Sequence, residues 1–300
     1  MKCVLFFFFL INSLTAFEYG LSPVKLQDKV YCFFGKAEVI NTKNNGNMVN
    51  TCYVDAGDSW IVIDSGPTYA YAKEAYTKIS KIKKQAVSYV INTHVHDDHW
   101  LGNSFYHTLG AKSIGSKAFD ELSSSKKTRM QKNISAKAFA LTSIEFPQRR
   151  LSKSEHIQVG NMNIELILLD YKAHTSADII VYIPSLKAAF AGDLVFNDRL
   201  PSLRDGNING SLKVLDKLKN MQLQTLVGGH GLKHDNEAWK MSYDYCNELR
   251  KKLKLAFLEE RDIAEAVENI SMPSYKNINM YSVLHKQNVE TSYRILEWEN

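Results

Sequence analysis

The amino-acid sequence predicts an α/β fold, and two observations support that prediction. Short β-branched and aromatic segments alternate with segments of helical period in the first half of the chain, and strand-like segments start again near residue 155. From residue 236 onward the pattern is almost entirely helical and rich in Lys, Glu, Leu and Ala. We therefore expect two αβ halves that share one core, followed by a helical extension over residues 236–300.

The first half supplies several predicted strands and helices. β-branched and aromatic residues separated by Asn-Gly and Gly-Asp turns indicate strands within residues 29–64. After them, hydrophobic periodicity predicts a helix over 68–82, a strand over 85–93, a helix up to about residue 109, a strand over 111–116 and one helix over 117–139.

The second half begins again with strands. They are expected within 155–170 and 178–193, and a helix over 210–221 leads into a strand over 223–231. The extension has helical patterns over 236–269 and 282–299, which are separated by the break "MPSY". The chain contains neither a fixed-period repeat nor a low-complexity linker. We expect the extension to pack on the core.

The N-terminus has the layout of a secretory signal peptide. Lys2 precedes the apolar run "VLFFFFLINSLTA", which is too short for a membrane span and ends in the small residues Thr15 and Ala16. Cleavage after Ala16 would leave an exported protein, periplasmic if the source is a Gram-negative bacterium. Leu14, three positions before the cut, keeps an uncleaved anchor as the alternative. No other apolar run approaches the ~20 residues that cross a bilayer, so no span is expected after signal removal.

The composition is that of an ordinary globular protein. Of 300 residues, 45% are hydrophobic and 23% are charged, and the formal net charge is +5. Lysines and arginines cluster only over 78–84 and 250–254, which resemble the solvated faces of helices, and no basic stripe is interleaved with aromatic residues. We therefore expect a small-molecule substrate, with a modest preference for anions, and no nucleic acid. The sequence contains no signal for an oligomeric state.

Three of the four cysteines lie beyond the predicted signal peptide. Cys32 and Cys52 occupy two predicted strands joined by the turn-rich "NTKNNGN", so a hairpin could bring them within disulfide range in an oxidising compartment. Two small buried thiols are the equal alternative. Cys246 lies on a predicted helix and is expected to be unpaired. Because no Cys-x-x-Cys pair occurs, a thiolate zinc site is not predicted.

The densest polar cluster of the sequence is "THVHDDHW", residues 93–100, directly behind the apolar run "VSYVIN". His94 and His96 alternate along an extended segment, so both imidazoles can project to one side of a strand end. Asp98 and His99 follow a turn at an expected helix N-terminus, where aspartate is a good cap. Packing so many polar groups behind a buried strand is costly without a ligand, so the cluster predicts half of a metal site rather than a charged loop.

The spacing His-x-His-x-Asp-His resembles the signature of the metallo-β-lactamase-fold hydrolases. Four further segments are similar to the other motifs of this family and occur in the same order: "WIVIDSG", "AHTSADIIVYIP", "AAFAGDLVF" and "LVGGHG". The resemblance therefore covers most of the mature chain. It implies an αββα four-layer sandwich over residues 17–235, with the helical extension 236–300 packed on that core.

The resemblance also implies a dinuclear metal site. Two divalent ions are expected, most simply zinc, with iron or manganese as alternatives. One ion would be held by His94, His96 and His174, the second by Asp98, His99 and His230, and Asp193 would bridge both. Asp64, at the end of the first motif, would support the site without binding metal. Independently of the family, His174, Asp193 and His230 each follow an apolar run, and strand ends are where an α/β fold places its ligands.

The family resemblance implies hydrolysis of a carbonyl-type bond in an ester, thioester or amide. The two ions would activate water and polarise the carbonyl, and Asp98 would orient the nucleophile and assist proton transfer. Three alternatives stay open: a β-lactamase, a mononuclear-iron persulfide-type dioxygenase and a non-catalytic metal-binding protein. The best-known β-lactamase subclass has a cysteine where this chain has Asp193.

Within the family, the exported layout and the segments "AGDLVFNDRLPSLRDGN" and "LHKQNVETSYRILE" are most similar to the periplasmic metallohydrolases associated with quinoprotein or sulfur-oxidation systems. Arg199, Arg204 and Asn209 lie just past the fourth motif, in a polar loop that could overhang the metals, and are candidate substrate contacts. For either arginine, a solvated surface position is the alternative.

Overall fold

The computed structural model describes residues 17–299 and contains two β-sheets that pack face to face. The strands, in chain order, are β1 (Val24–Gln27), β2 (Val30–Phe33), β3 (Thr51–Asp55), β4 (Ser59–Ile63), β5 (Ala86–Ile91), β6 (Lys112–Ser116), β7 (Arg149–Leu151), β8 (Glu155–Val159), β9 (Met162–Leu168), β10 (Ile179–Ile183), β11 (Ala188–Phe196) and β12 (Thr225–His230). The α-helices are α1 (Tyr69–Ile79), α2 (Asp97–Trp100), α3 (Asn103–Thr108), α4 (Arg129–Asn133), α5 (Ala136–Phe139), α6 (Ile208–Asn220), α7 (Lys240–Leu258), α8 (Ile263–Asn269) and α9 (Tyr281–Glu299). Short 3-10 helices lie at Lys117–Glu121, Pro184–Leu186 and Pro273–Tyr275.

The first sheet contains β1 to β7 in sequence order, and the second has the order β12-β11-β10-β9-β8. β1 to β4 pair antiparallel, whereas β4 to β7 pair parallel. In the second sheet β11 and β12 run parallel and the other pairs run antiparallel. Parallel neighbours end at the same edge of a sheet. The segments that follow β4 and β5 therefore leave the first sheet together, and β11 and β12 end together in the second.

The apolar strand β4 shows why the sequence forms four layers. Its residues point alternately to opposite faces of the sheet. Ile61 and Ile63 pack into the space between the sheets, whereas Trp60 and Val62 pack against α1 and α3 on the outer face. A strand that is covered on both faces needs an unbroken apolar run, which "WIVI" supplies. On the far side, α6 covers the second sheet, so the predicted αββα sandwich is confirmed.

The C-terminal helices pack on one another and on the core. Leu249 of α7 and Val289 of α9 share one apolar cluster with Leu212 of α6 and with Leu200 and Leu203 of the preceding loop. The helical pattern predicted beyond residue 236 is confirmed by α7, α8 and α9. The boundary between the two predicted domains, at residues 235 and 236, stays a prediction.

The single helix predicted over 117–139 is wrong. This segment forms a 3-10 turn and then the two short helices α4 and α5. The hydroxyls of Thr128 and Ser135 cap these helices by accepting backbone N–H bonds, and the serine run 123–125 favours a turn over a helix. Strands β1 and β7 were not predicted. The predicted signal peptide, residues 1–16, lies outside the described residues.

The three cysteines of the described residues lie in two different environments. Cys32 and Cys52 stand directly opposite each other in β2 and β3 and form a disulfide, which decides between the two alternatives. Cys246 is unpaired and buried in α7, where burial raises the pKa of its thiol to about 12. Across residues 17–299, no helix has the length and apolar character needed to span a membrane.

Candidate metal centre

The predicted ligands come together where the ends of β5, β11 and β12 approach one another. His94 and His96 follow β5, Asp98 and His99 lie in α2, His174 precedes β10, Asp193 lies in β11, and His230 ends β12. The structure sorts them into two groups, and within each group the ligand atoms lie within 4.8 Å of one another. The first group contains His94, His96, His174 and Asp193, and the second contains Asp98, His99 and His230.

In the first group, three imidazole nitrogens converge. His96 Nδ1 lies 3.1 Å from His94 Nε2 and 2.9 Å from His174 Nε2. Asp193 Oδ2 lies 3.8 Å from His94 Nε2 and 3.3 Å from His174 Nε2. Three nitrogens and one carboxylate oxygen at these separations make a donor set suited to zinc, iron or manganese.

The second group faces the other oxygen of the same carboxylate. Asp193 Oδ1 lies 3.2 Å from His99 Nε2 and 3.2 Å from His230 Nε2. Asp98 Oδ2 lies 3.8 Å and 3.7 Å from the same two nitrogens. Asp193 thus turns one oxygen towards each group, which is the arrangement that a bridging ligand requires.

Asp64 fixes the orientation of two of the imidazoles. Its Oδ2 lies 2.8 Å from His99 Nδ1 and accepts the hydroxyl of Thr93 at 2.9 Å. The same hydroxyl lies 3.0 Å from His94 Nδ1. Because a carboxylate can only accept, the neutral His99 ring carries its proton on Nδ1 and leaves Nε2 free to bind metal. Asp64 therefore contacts ligands rather than the metal position itself.

The two other imidazoles with defined partners are held by different elements. His230 Nδ1 lies 2.7 Å from the carbonyl oxygen of Met48, so the neutral ring also presents Nε2 to the centre. His96 is oriented the other way: its Nε2 lies 2.9 Å from Asp205 Oδ2, and its Nδ1 faces the first group. Sequence reasoning did not identify Asp205, because it lies 109 residues from its partner and outside the recognised motifs.

Arg129 is a second contact that sequence reasoning missed. Its Nη2 donates to Asp98 Oδ1 at 2.6 Å, which leaves Asp98 Oδ2 for the second group. Asp97, which occupies an unassigned position in the His-x-His-x-Asp-His spacing, accepts the N–H of Met130 at 2.7 Å and the Nε–H of Arg129 at 3.3 Å. Both aspartates of "HDDH" therefore have a defined role: Asp98 faces the metal centre and Asp97 holds the first turn of α4.

Buried groups in the centre lack partners unless a cation is bound. His99 Nε2 and Asp193 Oδ1 are buried and have no hydrogen-bond partner among the described residues. Burial alone would raise the pKa of Asp193, but the imidazoles of His230 and His99 hold it well below its usual range. Burial also opposes protonation of His99, yet the carboxylates of Asp193, Asp64 and Asp98 raise its pKa well above its usual value. The centre therefore favours positive charge between its two groups, and its donors fit divalent metal ions.

Two glycines permit this close assembly. A β-carbon at Gly229 would overlap Oδ1 of Asp193, so the "GGHG" segment can approach β11 only with glycine there. Gly192 has a φ of 53°, and a β-carbon at this position would overlap the hydroxyl of Thr93. Both glycines keep space free around Asp193 and around the hydroxyl that links His94 to Asp64.

A cavity lies above the two groups, and the three candidate substrate contacts differ in their position relative to it and in their exposure. Arg199 lines this cavity and is only 6% exposed, with its guanidinium 5.4 Å from the ring centre of Phe196. Arg204 also lines it, but is largely exposed and paired with Asp205. Asn209 lies on α6 and accepts a hydrogen bond from Arg250 at 3.3 Å, and its role as a substrate contact stays a prediction.

Comparison with known proteins gives matches at the levels of family, sequence and fold. Residues 44–230 match the model of the metallo-beta-lactamase superfamily. The chain is 26% identical over 255 residues to a metallo-beta-lactamase type 2 of Elizabethkingia meningoseptica, covering 81% of this chain and 93% of that protein. It is 25% identical over 169 residues to a hydroxyacylglutathione hydrolase of Erythrobacter litoralis, covering 55% of this chain and 57% of that protein.

Among solved structures, the chain is similar to a metallo-beta-lactamase from Pontibacter korlensis, with a TM-score of 0.60 at 20% sequence identity. The likeness covers 76% of this chain and 99% of that structure. At this identity it supports the fold only. The match to the hydroxyacylglutathione hydrolase spans little more than half the length of that relative.

Proposed function

This chain belongs to the metallo-β-lactamase superfamily, and from that premise we propose that it is an exported hydrolase with a dinuclear, zinc-binding centre. Its substrates are small molecules with an ester, thioester or amide bond. The observation that supports two ions is the position of Asp193, which turns one carboxylate oxygen to each of two donor groups. A single-ion site would not need a buried carboxylate between two sets of imidazoles.

The metal ions and the protein side chains would have different roles in the reaction. When bound, two divalent ions supply an activated water and polarise the carbonyl group of the substrate. The five imidazoles, Asp98 and Asp193 would hold the ions, and the tautomers set by Asp64 and by the carbonyl of Met48 would keep the Nε2 atoms of His99 and His230 directed at them.

Asp98 is the proposed catalytic residue. Burial would raise its pKa, but Arg129, His99 and His230 hold the pKa well below its usual range, so the carboxylate is ionised at neutral pH. Because Oδ1 is occupied by Arg129, only Oδ2 faces the centre. That oxygen would accept a hydrogen bond from the attacking water and so orient it, take up the proton that this water loses on attack, and pass the same proton to the leaving group.

Arg199 is the proposed contact for a substrate carboxylate. It lies at the wall of the cavity, and within residues 17–299 it forms no ion pair, whereas Arg129 and Arg204 are already paired with aspartates. A buried guanidinium without a counter-ion favours an anionic ligand.

The proposed function is tested by metal analysis and a panel of chromogenic thioester, ester and lactam substrates. We expect two equivalents of zinc per chain and turnover of at least one substrate class, with loss of that turnover in His96→Ala and in Asp98→Ala. Circular dichroism of both variants controls for folding. Two bound ions without any turnover would favour the metal-binding alternative, and activity that survives both substitutions would contradict the two-ion mechanism.

β-Lactam hydrolysis is the second candidate. It is favoured by the match to a metallo-beta-lactamase type 2 over 93% of that protein. Nitrocefin in the same panel tests it directly: turnover above that of Asp98→Ala would support the lactamase reading, and turnover confined to thioesters or esters would exclude it.

We also propose that the protein is exported, in line with its resemblance to periplasmic metallohydrolases. The layout of residues 1–16 and the disulfide between Cys32 and Cys52 support this, since disulfides persist in oxidising compartments. Mass spectrometry of the protein from fractionated cells should find Phe17 as its first residue. An intact N-terminus in the membrane fraction would instead support the anchor.

A further inference from the structure

The loop between β11 and α6, residues 197–207, connects the C-terminal helices to the metal centre. Leu200 and Leu203 bury their side chains among α7 and α9. Arg199 and Asp205 of the same loop face the other way, one lining the cavity and the other bonded to His96. Whatever fixes this backbone therefore also fixes two groups at the centre.

Asn288 of α9 binds this loop at two points. Its Oδ1 accepts the N–H of Leu203 at 2.9 Å, and its Nδ2 donates to the carbonyl of Pro201 at 2.8 Å. A side-chain amide offers one acceptor and one donor side by side, which matches residues i and i+2 of a loop backbone. Asn288 is fully buried, and its Nδ2 also lies 3.2 Å from Tyr245 Oη. The amide is therefore held in one orientation.

The start of the same loop is held by Asn279, which lies two residues before α9. Asn279 accepts the N–H of Leu200 through its carbonyl at 2.9 Å, and its side-chain Nδ2 donates to the carbonyl of Asp198 at 2.8 Å. On α9 itself, Leu284 and Gln287 line the cavity. The C-terminal helix thus forms one wall of the cavity and holds the loop that forms another.

We propose that Asn288 is a positioning residue of the metal centre that acts through Asp205. By fixing the backbone at Pro201 and Leu203, it places the Asp205 carboxylate 2.9 Å from His96 Nε2. That carboxylate keeps the His96 proton on Nε2, so that Nδ1 is free to bind a cation, and it increases the basicity of the ring. The inference rests on the metal centre of the proposed function, but not on hydrolysis.

A double-mutant cycle on zinc affinity tests the proposal. Competition with a chromophoric chelator gives the affinity of the full-length protein, of Asn288→Ala, of Asp205→Ala and of the double variant. We expect each single change to weaken at least one zinc-binding step about tenfold, the lower range for loss of a group that orients a ligand. The double variant should be no weaker than Asp205→Ala alone, because the two changes remove one and the same effect.

Tyr293→Phe is the matched control on α9. It removes the hydrogen bond from the Tyr293 hydroxyl to the carbonyl of Arg261, a contact of the same helix that does not touch the loop. We expect a lower melting temperature with zinc affinity within about twofold of the unchanged protein. A tenfold loss of zinc affinity in this control would overturn the proposal, as would additive losses in the cycle or an unchanged affinity in Asn288→Ala.

Asn279→Ala provides a second variant if Asn288→Ala does not fold. Asn279 is exposed, and the change removes only the side-chain bond to Asp198. It should weaken zinc binding in the same direction by about threefold, and this loss should also vanish in the Asp205→Ala background. Because zinc affinity needs no substrate, a failure here is distinct from failure of the hydrolase proposal, which is read from turnover.

Discussion

The two ligand groups are held by different parts of the molecule. In the second group, the side chains of His99 and His230 are at most 3% exposed, and the buried carboxylate of Asp64 orients His99. In the first group, the His96 side chain is 19% exposed, and its partner Asp205 is 46% exposed. The second group is therefore fixed by buried residues of α2, of β12 and of the segment after β4, whereas the first depends in part on a surface loop.

This difference indicates where the centre can be adjusted without disturbing the fold. Strand ends are hydrogen-bonded to neighbouring strands, so a change there also disturbs the sheets. The loop of residues 197–207 carries Asp205, which orients a ligand, and Arg199, which lines the cavity. A change in that loop can alter ion affinity and substrate choice together while both sheets stay intact.

The largest expected effect comes from the one residue that the groups share. Asp193→Ala should weaken both zinc-binding steps by more than about a hundredfold, which exceeds the loss for a group that only orients a ligand. Chelator competition measures both steps, and circular dichroism confirms the fold. A loss confined to one step would show that Asp193 belongs to one group only.

Asp64, which orients His99, is buried, whereas Asp205, which orients His96, is half-exposed. Removing these two carboxylates should therefore lower the free energy of unfolding by different amounts. Asp64→Ala leaves the N–H and hydroxyl of Thr93 and the Nδ1–H of His99 without an acceptor. Each unpaired buried donor costs about 1–3 kcal/mol, so the free energy of unfolding should fall by about 3 kcal/mol or more. Asp205→Ala removes a half-exposed partner and should cost less than about 1 kcal/mol.

Urea unfolding of the metal-free proteins separates these two cases. Both variants should bind zinc more weakly, and the loss of stability should be clearly larger in Asp64→Ala than in Asp205→Ala. Equal losses of unfolding free energy would remove the distinction between a group fixed by the core and a group fixed by a loop.

The ligands that follow an apolar run in the sequence could be predicted, because a polar residue behind such a run has few explanations other than a site. His94, Asp193 and His230 belong to that class. Arg129 and Asp205 could not be predicted, since their contacts join segments 31 and 109 residues apart and neither lies in a motif. The bond between Asn209 and Arg250 could not be predicted either, because the two residues lie 41 positions apart.

The two groups should also bind protons differently in the metal-free protein. Burial lowers the pKa of His94 well below its usual value, and the charge of His99 adds to this. Burial opposes protonation of His99 too, but Asp193, Asp64 and Asp98 raise its pKa well above 6.5. At pH 6.5, His94 should be neutral and His99 protonated.

Nitrogen-15 NMR of the imidazole rings measures these states, and zinc affinity reports the consequence. A metal ion must displace the proton on Nε2 of the protonated His99 ring. The affinity of the second group for zinc should therefore rise with pH until the pH exceeds the raised pKa of His99. His94 is already neutral over that range, so it should add no pH dependence to binding at the first group. Parallel pH profiles for both zinc-binding steps would contradict this difference.

The smallest expected change in zinc affinity tests what holds the exposed carboxylate of Asp205 in place. Arg204 donates to Asp205 Oδ2 through Nε at 2.8 Å and Nη2 at 2.6 Å, but both side chains are more than 40% exposed. Exposed ion pairs contribute about 0.2–1 kcal/mol, so Arg204→Ala should change zinc affinity by less than about fivefold. Asn288→Ala should have the larger effect, because it releases the buried backbone that carries Asp205. If Arg204→Ala weakens zinc binding more than Asn288→Ala does, the carboxylate is positioned by its neighbouring charge and not by the C-terminal helix.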